Sequence, residues 1–427
     1  MKKPIQFNEY ERKTWTDLSK EGLTQVHLPK LKSINRLAKK SILQIDPYQV
    51  RATSNVGVFS INGKCIQILP KFCKNDDQTL IVRNLLYMLN YTKKLRVSEA
   101  EITDLTEREE SNLLEILIHL FAKNLIEVLK SGFYRDYVTI EDRLIYLKGR
   151  INFSGNIRGN PSQRHKLLCN YSEFTENILI NQIFKYTVFL LSRLTSSEHN
   201  KNALRQLSFM LSDIELKTIT NWDFKKVHLN RLNRRMEPLL QLARIFITDG
   251  SIELHNDKLE TYSLIFDMEI LFEEFVAELI KQNKSLYFTE GTNIITQKSK
   301  KTLVDAPRPL FALKPDIIIQ NATSLIILDT KYKELDPEDS KEGVSQSDMY
   351  QMLAYAIKYG SSDCILIYPS HLNFVPGNLP HIIKVENRLV KVHIKTIPLD
   401  IDMIREKKRL FESFNFLSEM IHNFDTR

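Results

Sequence analysis

The fold of the C-terminal part is decided by two segments, Leu313-Lys-Pro-Asp-Ile-Ile-Ile-Gln320 and Ser324-Leu-Ile-Ile-Leu-Asp-Thr-Lys-Tyr-Lys333. Both are short, apolar and rich in β-branched residues, which is typical of buried strands. A short polar turn at Asn321 to Thr323 separates them. The sequence therefore predicts an antiparallel hairpin in the protein interior.

Each strand of this hairpin carries a carboxylate, Asp316 in the first and Asp329 in the second. Buried charge is costly and is rarely left without a partner or a metal. Because alternate residues of a strand share a face, Asp329 and Lys331 should point the same way, and Asp316 can join them from its neighbouring strand. Carboxylate oxygens suit Mg²⁺, which can polarise a phosphate and activate water. Lys331 would then orient that water or stabilise developing negative charge. A purely structural ion-pair cluster is the open alternative.

Two flanking helices carry further polar candidates. Upstream, an apolar stripe marks a core-facing helix, formed by Phe272, Phe275, Val276, Leu279 and Ile280. Glu269 and Glu273 lie on a different face of it, and we expect Glu273 to reach the metal unless that face is solvated. Downstream, residues 348–357 form a helix on which Gln351 and Tyr355 share a face. They are expected to orient the lysine or hold a phosphate, whereas Tyr355 as plain core is the alternative.

The preceding part of the chain divides by pattern. Residues 1 to about 75 are predicted to be β-rich, with a hairpin turn at Asn62-Gly63. Helices follow from about Leu80, and again across 177–191, 201–218 and 235–246. Between them, residues 134–166 hold strand-like segments, Tyr137 to Ile140 and Leu144 to Leu147, with seven Lys or Arg against three Asp or Glu. A polar stretch around 249–258 suggests a boundary, so we predict domains at 1–78, 79–255 and 256–427.

Composition sets limits on the class of protein. The 427 residues are 43 % hydrophobic and 26 % charged, which is typical of a globular protein. The formal net charge of +8 suits a polyanionic partner such as nucleic acid, and a basic surface without a partner is the alternative. The four cysteines form no Cys-x-x-Cys pair, so neither a structural zinc site nor a disulfide framework is predicted. No run of 18 apolar residues and no signal peptide is present, which favours a cytoplasmic protein without membrane contact. Neither a P-loop nor a Gly-x-Ser-x-Gly element is present, so no nucleotide is expected to bind this chain.

The arrangement resembles the PD-(D/E)XK nuclease fold, since a helix with Glu273 precedes Pro315-Asp316 and Asp329-Thr-Lys331, and a helix with Gln351-x-x-x-Tyr355 follows. Over roughly residues 80 to 427 the chain also resembles the McrC family of McrBC-type restriction systems. The segments that carry this second resemblance are Arg83-Asn-Leu-Leu-Tyr-Met-Leu89, Leu147-Lys-Gly-Arg-Ile-Asn-Phe153, Ile157-Arg-Gly159, Glu173-Phe-Thr-Glu-Asn-Ile-Leu-Ile-Asn-Gln182 and Leu328-Asp-Thr-Lys-Tyr332.

The resemblance implies an α/β nuclease domain of the PD-(D/E)XK class at the C-terminus, preceded by a mixed β and α-helical region. It implies the Mg²⁺-dependent DNA endonuclease subunit of a GTP-dependent type IV restriction complex directed at 5-methylcytosine. The family's catalytic residues correspond to Asp316, Asp329 and Lys331, of which the two aspartates are metal ligands. Glu273 corresponds to a further metal ligand that is not present in all members of the family. The implied partners are double-stranded DNA and a hexameric AAA+ GTPase, McrB, which carries the methylcytosine reader and is stimulated by McrC.

Two rival functions stay open at this point. One is a non-catalytic adaptor that only activates the motor, and the other is a stand-alone nuclease with its own DNA reader in residues 1–75. A docking role is assigned to the basic β element, through Arg143, Lys148, Arg150 and Arg158. Because arginine stabilises phosphoryl-transfer charge in trans, one of these side chains could act near the partner's nucleotide site. The element could equally pack against DNA or have no partner.

Overall fold

The structure is a computed structural model of the chain. It describes residues 4–37, 40–61, 64–71, 77–108, 112–158, 165–255, 258–296, 301–321, 324–336, 338–339, 341–370 and 379–425. The chain divides into two compact units. Among the described residues, unit 1 comprises those within 114–264, and unit 2 comprises those within 4–113 and 265–425.

Strands and helices alternate irregularly along the described residues. The strands are β1 (Ile5–Asn8), β2 (Arg12–Thr14), β3 (Leu43–Ile45), β4 (Gln49–Ala52), β5 (Asn55–Ile61), β6 (Lys64–Leu69), β7 (Asp136–Leu144), β8 (Arg150–Ile151), β9 (Leu167–Thr175), β10 (Gly250–His255), β11 (Lys258–Asp267), β12 (Asn293–Thr296), β13 (Lys301–Val304), β14 (Leu310–Leu313), β15 (Ile317–Gln320), β16 (Leu325–Thr330), β17 (Asp363–Ser370), β18 (His381–Val385) and β19 (Arg388–Pro398). The helices are α1 (Trp15–Lys20), α2 (Leu28–Leu37), α3 (Gln78–Tyr91), α4 (Glu99–Arg108), α5 (Leu113–Lys130), α6 (Phe153–Ile157), α7 (Leu179–Leu194), α8 (Glu198–Met210), α9 (Asn221–Lys225), α10 (Glu237–Arg244), α11 (Met268–Gln282), α12 (Lys284–Tyr287), α13 (Gln346–Tyr359), α14 (Lys407–Glu412) and α15 (Phe416–Asp425). Within this described part, none of the helices is long and apolar enough to cross a bilayer.

A mixed sheet in the order β12-β15-β16-β17-β19-β18 forms the centre of the C-terminal part of unit 2. β15 and β16 pair antiparallel, with Ile317 opposite Leu328, so the predicted hairpin is confirmed. Two of its turn residues, 322 and 323, lie outside the described residues. β16, β17 and β19 run parallel to one another, and α13 connects β16 to β17. Because α11 packs on β16 and α13 packs on β16, β17 and β19, the central strands are apolar on both faces.

The N-terminal part of unit 2 has its own apolar core. β1 pairs parallel with β6, which pairs antiparallel with β5, as the predicted hairpin requires. The Asn62-Gly63 turn itself lies outside the described residues. This β-rich region also contains two helices, α1 and α2, that the sequence pattern did not predict. The first is explained by a local cap, since the Thr14 side chain accepts a hydrogen bond from the Asp17 amide.

Unit 1 combines the helices α5, α7, α8 and α10 with a three-stranded sheet in the order β7-β9-β8. The prediction of a strand at Leu144 to Leu147 is wrong beyond Leu144, because residues 145–147 form a bend with exposed side chains. β7 instead pairs along its whole length with β9. Gly149 allows the chain to turn between β7 and β8. Its φ is +68°, and an added Cβ would lie 2.4 Å from the Asn170 carbonyl oxygen.

The predicted helix across 201–218 is too long, because α8 ends at Met210. The ammonium of Lys185 binds the carbonyl oxygens of Ser212 and Ile214, so these backbone groups are satisfied outside a helix. The polar stretch around 249–258, predicted as a boundary, contains β10 and the first residue of β11, with which β10 pairs.

The contacts divide the chain differently from the predicted boundaries at 78 and 255. Helices α3 and α4 belong to the unit that also holds the C-terminal strands. The guanidinium of Arg83, on α3, lies 2.6 Å from a carboxylate oxygen of Asp402, and the amide of Asn84 donates to the carbonyls of Leu399 and Ile401. These partners are more than 300 residues apart in sequence, so no local pattern could have revealed them.

Candidate active site

The two aspartates of the predicted hairpin lie side by side at one end of the strands. Asp316 immediately precedes β15, and Asp329 is the last residue but one of β16. Since Ile317 pairs with Leu328, Asp316 is opposite Asp329 at the next position of the same ladder. Lys331 follows β16, and its amide donates to the Ile367 carbonyl of β17 at 2.8 Å. Strand register therefore positions all three side chains.

Lys331 and Asp329 form a close ion pair. The Lys331 Nζ atom lies 2.5 Å from Asp329 Oδ2. Asp329 is only 1 % exposed, whereas the lysine side chain is partly accessible. The ammonium is thus held between a buried carboxylate and the surface of the site.

Thr330, between these two residues, holds Asp316. Its amide and its hydroxyl both donate to Asp316 Oδ2, each at 2.7 Å. The carboxyl group of Glu273, on α11, also shares a hydrogen bond with the Asp316 side chain. A hydrogen bond between two carboxyl groups requires a proton on one of them. Glu273 is therefore in the site, and Thr330 is a site residue that the sequence reasoning missed although it lies within the motif.

Gln351 and Tyr355 reach the same place from α13. The Gln351 side-chain oxygen accepts from Lys331 Nζ at 2.9 Å, and its amide nitrogen donates to the Tyr355 hydroxyl at 2.8 Å. The Tyr355 hydroxyl in turn donates to the Lys314 carbonyl at 3.1 Å. The Tyr355 ring is also part of the apolar core of this region.

Two neighbouring contacts could not be predicted from the sequence. Lys333 Nζ binds the carboxylate of Asp348, which also caps the start of α13. The Tyr332 hydroxyl donates to Glu9 Oε2 at 2.8 Å. Glu9 is buried, and burial raises its pKa to about 8. Glu9, the residue that follows β1, is therefore joined to Tyr332, the residue that follows Lys331.

Burial dominates the electrostatics of the site. It raises the pKa of Asp329 to about 7, and the negative charge of Asp316 acts in the same direction while Lys331 opposes both. Burial also raises the pKa of Asp316, against the hydrogen bonds from Thr330. For Lys331, burial acts to lower the pKa, but Asp329 and the other nearby carboxylates outweigh it and raise the pKa above its usual value. The lysine is thus cationic at neutral pH, and the aspartates are poorly compensated by protein groups alone.

The oxygen atoms of Asp316 and Asp329 suit Mg²⁺ but do not form a metal site whose ligands all come from protein. Among the residues that the structure describes, no group of three or more His, Cys, Asp or Glu side chains converges as a preformed metal site. Mg²⁺ commonly uses one or two carboxylates and keeps several waters, so two aspartates suffice. The buried Asp329 Oδ2 atom lies against the Lys331 ammonium, while the other oxygen, Oδ1, accepts only a long hydrogen bond of 3.4 Å from Gln351. An added cation would satisfy this oxygen and relieve the carboxyl repulsion.

The four basic residues assigned to docking are spread over one segment of unit 1: Arg143 is on β7, Lys148 precedes β8, Arg150 begins β8 and Arg158 follows α6. Arg143 donates to the Gly155 carbonyl at 3.3 Å, and the Lys148 ammonium lies 3.9 Å from the Tyr171 ring centroid. Arg150 and Arg158 are exposed. The same segment, from β7 through α6, and the paired strand β9 expose seven large apolar side chains, Tyr137, Ile145, Tyr146, Leu147, Phe153, Ile157 and Phe174.

Comparisons with known proteins agree with this architecture. Residues 50–369 match the sequence profile of the family described as McrBC 5-methylcytosine restriction system component. A curated relative, the type IV methyl-directed restriction enzyme EcoKMcrBC of Escherichia coli strain K12, is 24 % identical over 308 residues, which cover 67 % of this chain and 85 % of the relative.

Solved structures show the same fold. A chain in a half-complex from the tetradecameric assembly of Thermococcus gammatolerans McrB AAA+ hexamers with bound McrC matches with a TM-score of 0.73 and 20 % identity, covering 97 % of this chain and 100 % of that one. A chain in the cryo-EM structure of the Thermococcus gammatolerans McrBC complex matches with a TM-score of 0.50 and 24 % identity, covering 67 % and 89 %.

Proposed function

Because the chain belongs to the family of McrBC 5-methylcytosine restriction system components, as its resemblance to McrC predicted, we propose that it is the endonuclease subunit of such a system. It cuts double-stranded DNA by Mg²⁺-assisted phosphodiester hydrolysis in a PD-(D/E)XK-type site, as a cytoplasmic protein that binds no nucleotide itself. The observation that supports this most strongly is the convergence of Asp316, Asp329 and Lys331 at one end of a buried strand pair.

This convergence argues against a purely structural ion-pair cluster. A single lysine facing Asp329 does not balance two buried carboxylates, and a third carboxyl, Glu273, shares a hydrogen bond with one of them. Such an arrangement reduces stability unless a cation or a proton is added. Perturbed carboxylates beside a partly accessible lysine are typical of a functional site.

The mechanism assigns one task to each side chain. Asp316 and Asp329 would hold Mg²⁺, which when bound polarises the scissile phosphate and lowers the pKa of a water. Thr330 fixes the orientation of Asp316 through its two hydrogen bonds. Lys331 presents a cationic ammonium to the attacking water or to the phosphate oxygens, where negative charge develops. Gln351 holds that ammonium in place from α13, and Tyr355 holds Gln351.

The β7-β9-β8 element of unit 1 would contact an AAA+ GTPase of the McrB type. Arg150 and Arg158 are exposed, and the same segment exposes seven large apolar side chains. Exposed apolar side chains in such number suit an interface with another protein. Arginine there suits the negative charge of a neighbouring nucleotide site, which is how such a contact would stimulate GTP hydrolysis.

A cleavage assay with the GTPase partner, GTP, methylated DNA and Mg²⁺ tests the nuclease role. The parent chain should cut, and both EDTA and Asp329→Asn should abolish cutting. The matched control is Asp363→Asn, a buried aspartate at the opposite end of the neighbouring strand β17 that should leave cutting intact. An Asp329→Asn variant that cuts at the parent rate would exclude the proposed site, and a parent chain that stimulates the GTPase without cutting would support the adaptor instead.

A further inference from the structure

The β13-β14 hairpin precedes the catalytic strand pair and is not used by the proposed chemistry. Its strands pair only with each other in the described sheets. Its second strand ends at Leu313, and three residues later the chain reaches Asp316. An extended chain advances about 3.3 Å per residue, so Phe311 lies within roughly 17 Å of Asp316 along the backbone.

The hairpin is fixed to the helix that positions the lysine. The Tyr355 hydroxyl donates to the Lys314 carbonyl at 3.1 Å, and the Tyr359 hydroxyl donates to the Leu313 carbonyl at 3.2 Å. Lys358, also on α13, forms an ion pair with Asp305 at 2.6 Å. The β13-β14 hairpin and the residue after it are therefore attached to α13 by two hydrogen bonds and one ion pair.

Phe311 is the unusual residue of this hairpin. Its φ is +57°, in the left-handed region that bulky side chains rarely adopt. Its side chain is 70 % exposed, so burial does not compensate for the strain. Strained backbone of this kind is concentrated at functional positions. An exposed aromatic ring held in this way points to a ligand that the ring contacts.

The charge of the hairpin indicates that this ligand is anionic. Residues 301–314 carry three cations, Lys301, Arg308 and Lys314, against one anion, Asp305, which is already paired with Lys358. Arg308 and Lys314 are exposed on either side of Phe311. A cation, an aromatic ring and a second cation at three-residue intervals, leading to a catalytic aspartate, suit the phosphates and bases of DNA.

We infer that the β13-β14 hairpin is a DNA-binding element of this chain, in which Arg308 and Lys314 contact phosphates beside the cleavage site and Phe311 packs against the bases. This inference rests on the proposed nuclease function and identifies how that site holds its duplex. Phe311 adds an apolar contact of the kind that minor-groove proteins insert at a base step. The two cations of the hairpin add affinity for DNA near the cleavage site. Because they contact phosphates, they do not discriminate between base sequences.

The test is duplex binding by the full chain in EDTA, measured by fluorescence anisotropy over a range of salt concentrations. Phe311→Asn should weaken binding about tenfold, as expected for loss of one aromatic contact with bases. It should not lower the melting temperature, because asparagine tolerates the left-handed conformation. Arg308→Ala with Lys314→Ala should reduce the slope of log affinity against log salt by about 1.8, for two phosphate contacts.

Matched controls lie away from the hairpin. Phe209→Asn, at an 83 % exposed phenylalanine of α8, and Lys408→Ala, whose side chain is 89 % exposed, should leave affinity and salt slope unchanged. Parent-like binding by the hairpin variants would overturn the inference, and so would loss of binding to the GTPase partner with unchanged DNA affinity. Parent cutting is measured separately. If the parent cuts DNA and the hairpin variants bind it normally, only the inference about the hairpin fails. If binding depends on the hairpin but the parent does not cut, only the proposed nuclease function fails.

Discussion

Replacing Asp329 by asparagine should make the metal-free protein more stable at alkaline pH. The change keeps the shape of the side chain but removes a charge that burial and Asp316 disfavour. The pKa of Asp329 rises from 3.8 to about 7. At about 1.36 kcal/mol per pKa unit, the ionised carboxylate costs up to about 4 kcal/mol of folding free energy.

The sign of the pH dependence follows from the direction of the shift. Because the folded state holds the Asp329 proton more tightly than the unfolded state, this group favours folding most below about pH 4. Its contribution is lost as pH rises to about 7 and above. In EDTA, the gap in free energy of unfolding between Asp329→Asn and the parent should therefore widen from pH 5 to pH 8. Mg²⁺ should stabilise the parent at pH 8 and have little effect on the variant.

Urea unfolding at pH 5 and pH 8, with EDTA or Mg²⁺, measures both effects. Asp363→Asn is a control for which the expected change in the free energy of unfolding has the opposite sign. Burial acts to raise the pKa of Asp363, but hydrogen bonds from His393 and Ser362 outweigh it and lower that pKa. Its ionised form stabilises the fold, so Asp363→Asn should be destabilising at pH 8. A gap for Asp329→Asn that does not change with pH, or a variant less stable than the parent at pH 8, would refute the reasoning.

Three further predictions concern separate tasks in the proposed complex. Lys331→Ala should reduce the single-turnover cleavage rate by a factor on the order of 10², while Mg²⁺ still stabilises the protein; an unchanged rate would make Lys331 a structural ion-pair partner. Gln351→Leu should slow single-turnover cleavage more than Tyr355→Phe, because only Gln351 contacts the ammonium, and the reverse order would contradict the proposed chain of hydrogen bonds. Arg150→Ala should lower stimulation of the partner's GTPase whereas Asp329→Asn should not, and equal loss in both would show that docking and cutting are not separable.

The hairpin that carries Asp316 and Asp329 could be predicted because its information is local. Short β-branched runs define the strands, and strand parity places Asp329 and Lys331 on one face. The pairing of Ile317 with Leu328 then brings Asp316 alongside. The spacing of Gln351 and Tyr355 predicted a shared helix face for the same reason. Thr330 was overlooked, although a threonine between the two motif residues can donate both an amide and a hydroxyl hydrogen bond.

Long-range contacts explain what the sequence did not reveal. Glu9 accepts a hydrogen bond from Tyr332, 323 residues away, and Arg83 binds Asp402, 319 residues away. No periodicity or turn signal encodes such pairs, so the grouping of α3 with the C-terminal strands could not be anticipated. The overlong strand at Leu144 to Leu147 has a different cause. An apolar run has the same pattern whether it forms a buried strand or an exposed bend.

The position of a bound metal ion tests the central claim most directly. Crystals of the parent chain soaked in Mn²⁺, which takes oxygen ligands much as Mg²⁺ does, would show the ion in an anomalous difference map. We expect a peak coordinated by both Asp316 and Asp329, with the Asp316–Glu273 hydrogen bond broken or rearranged. A map with no peak at these two carboxylates, from crystals in which the site is open to solvent, would contradict it.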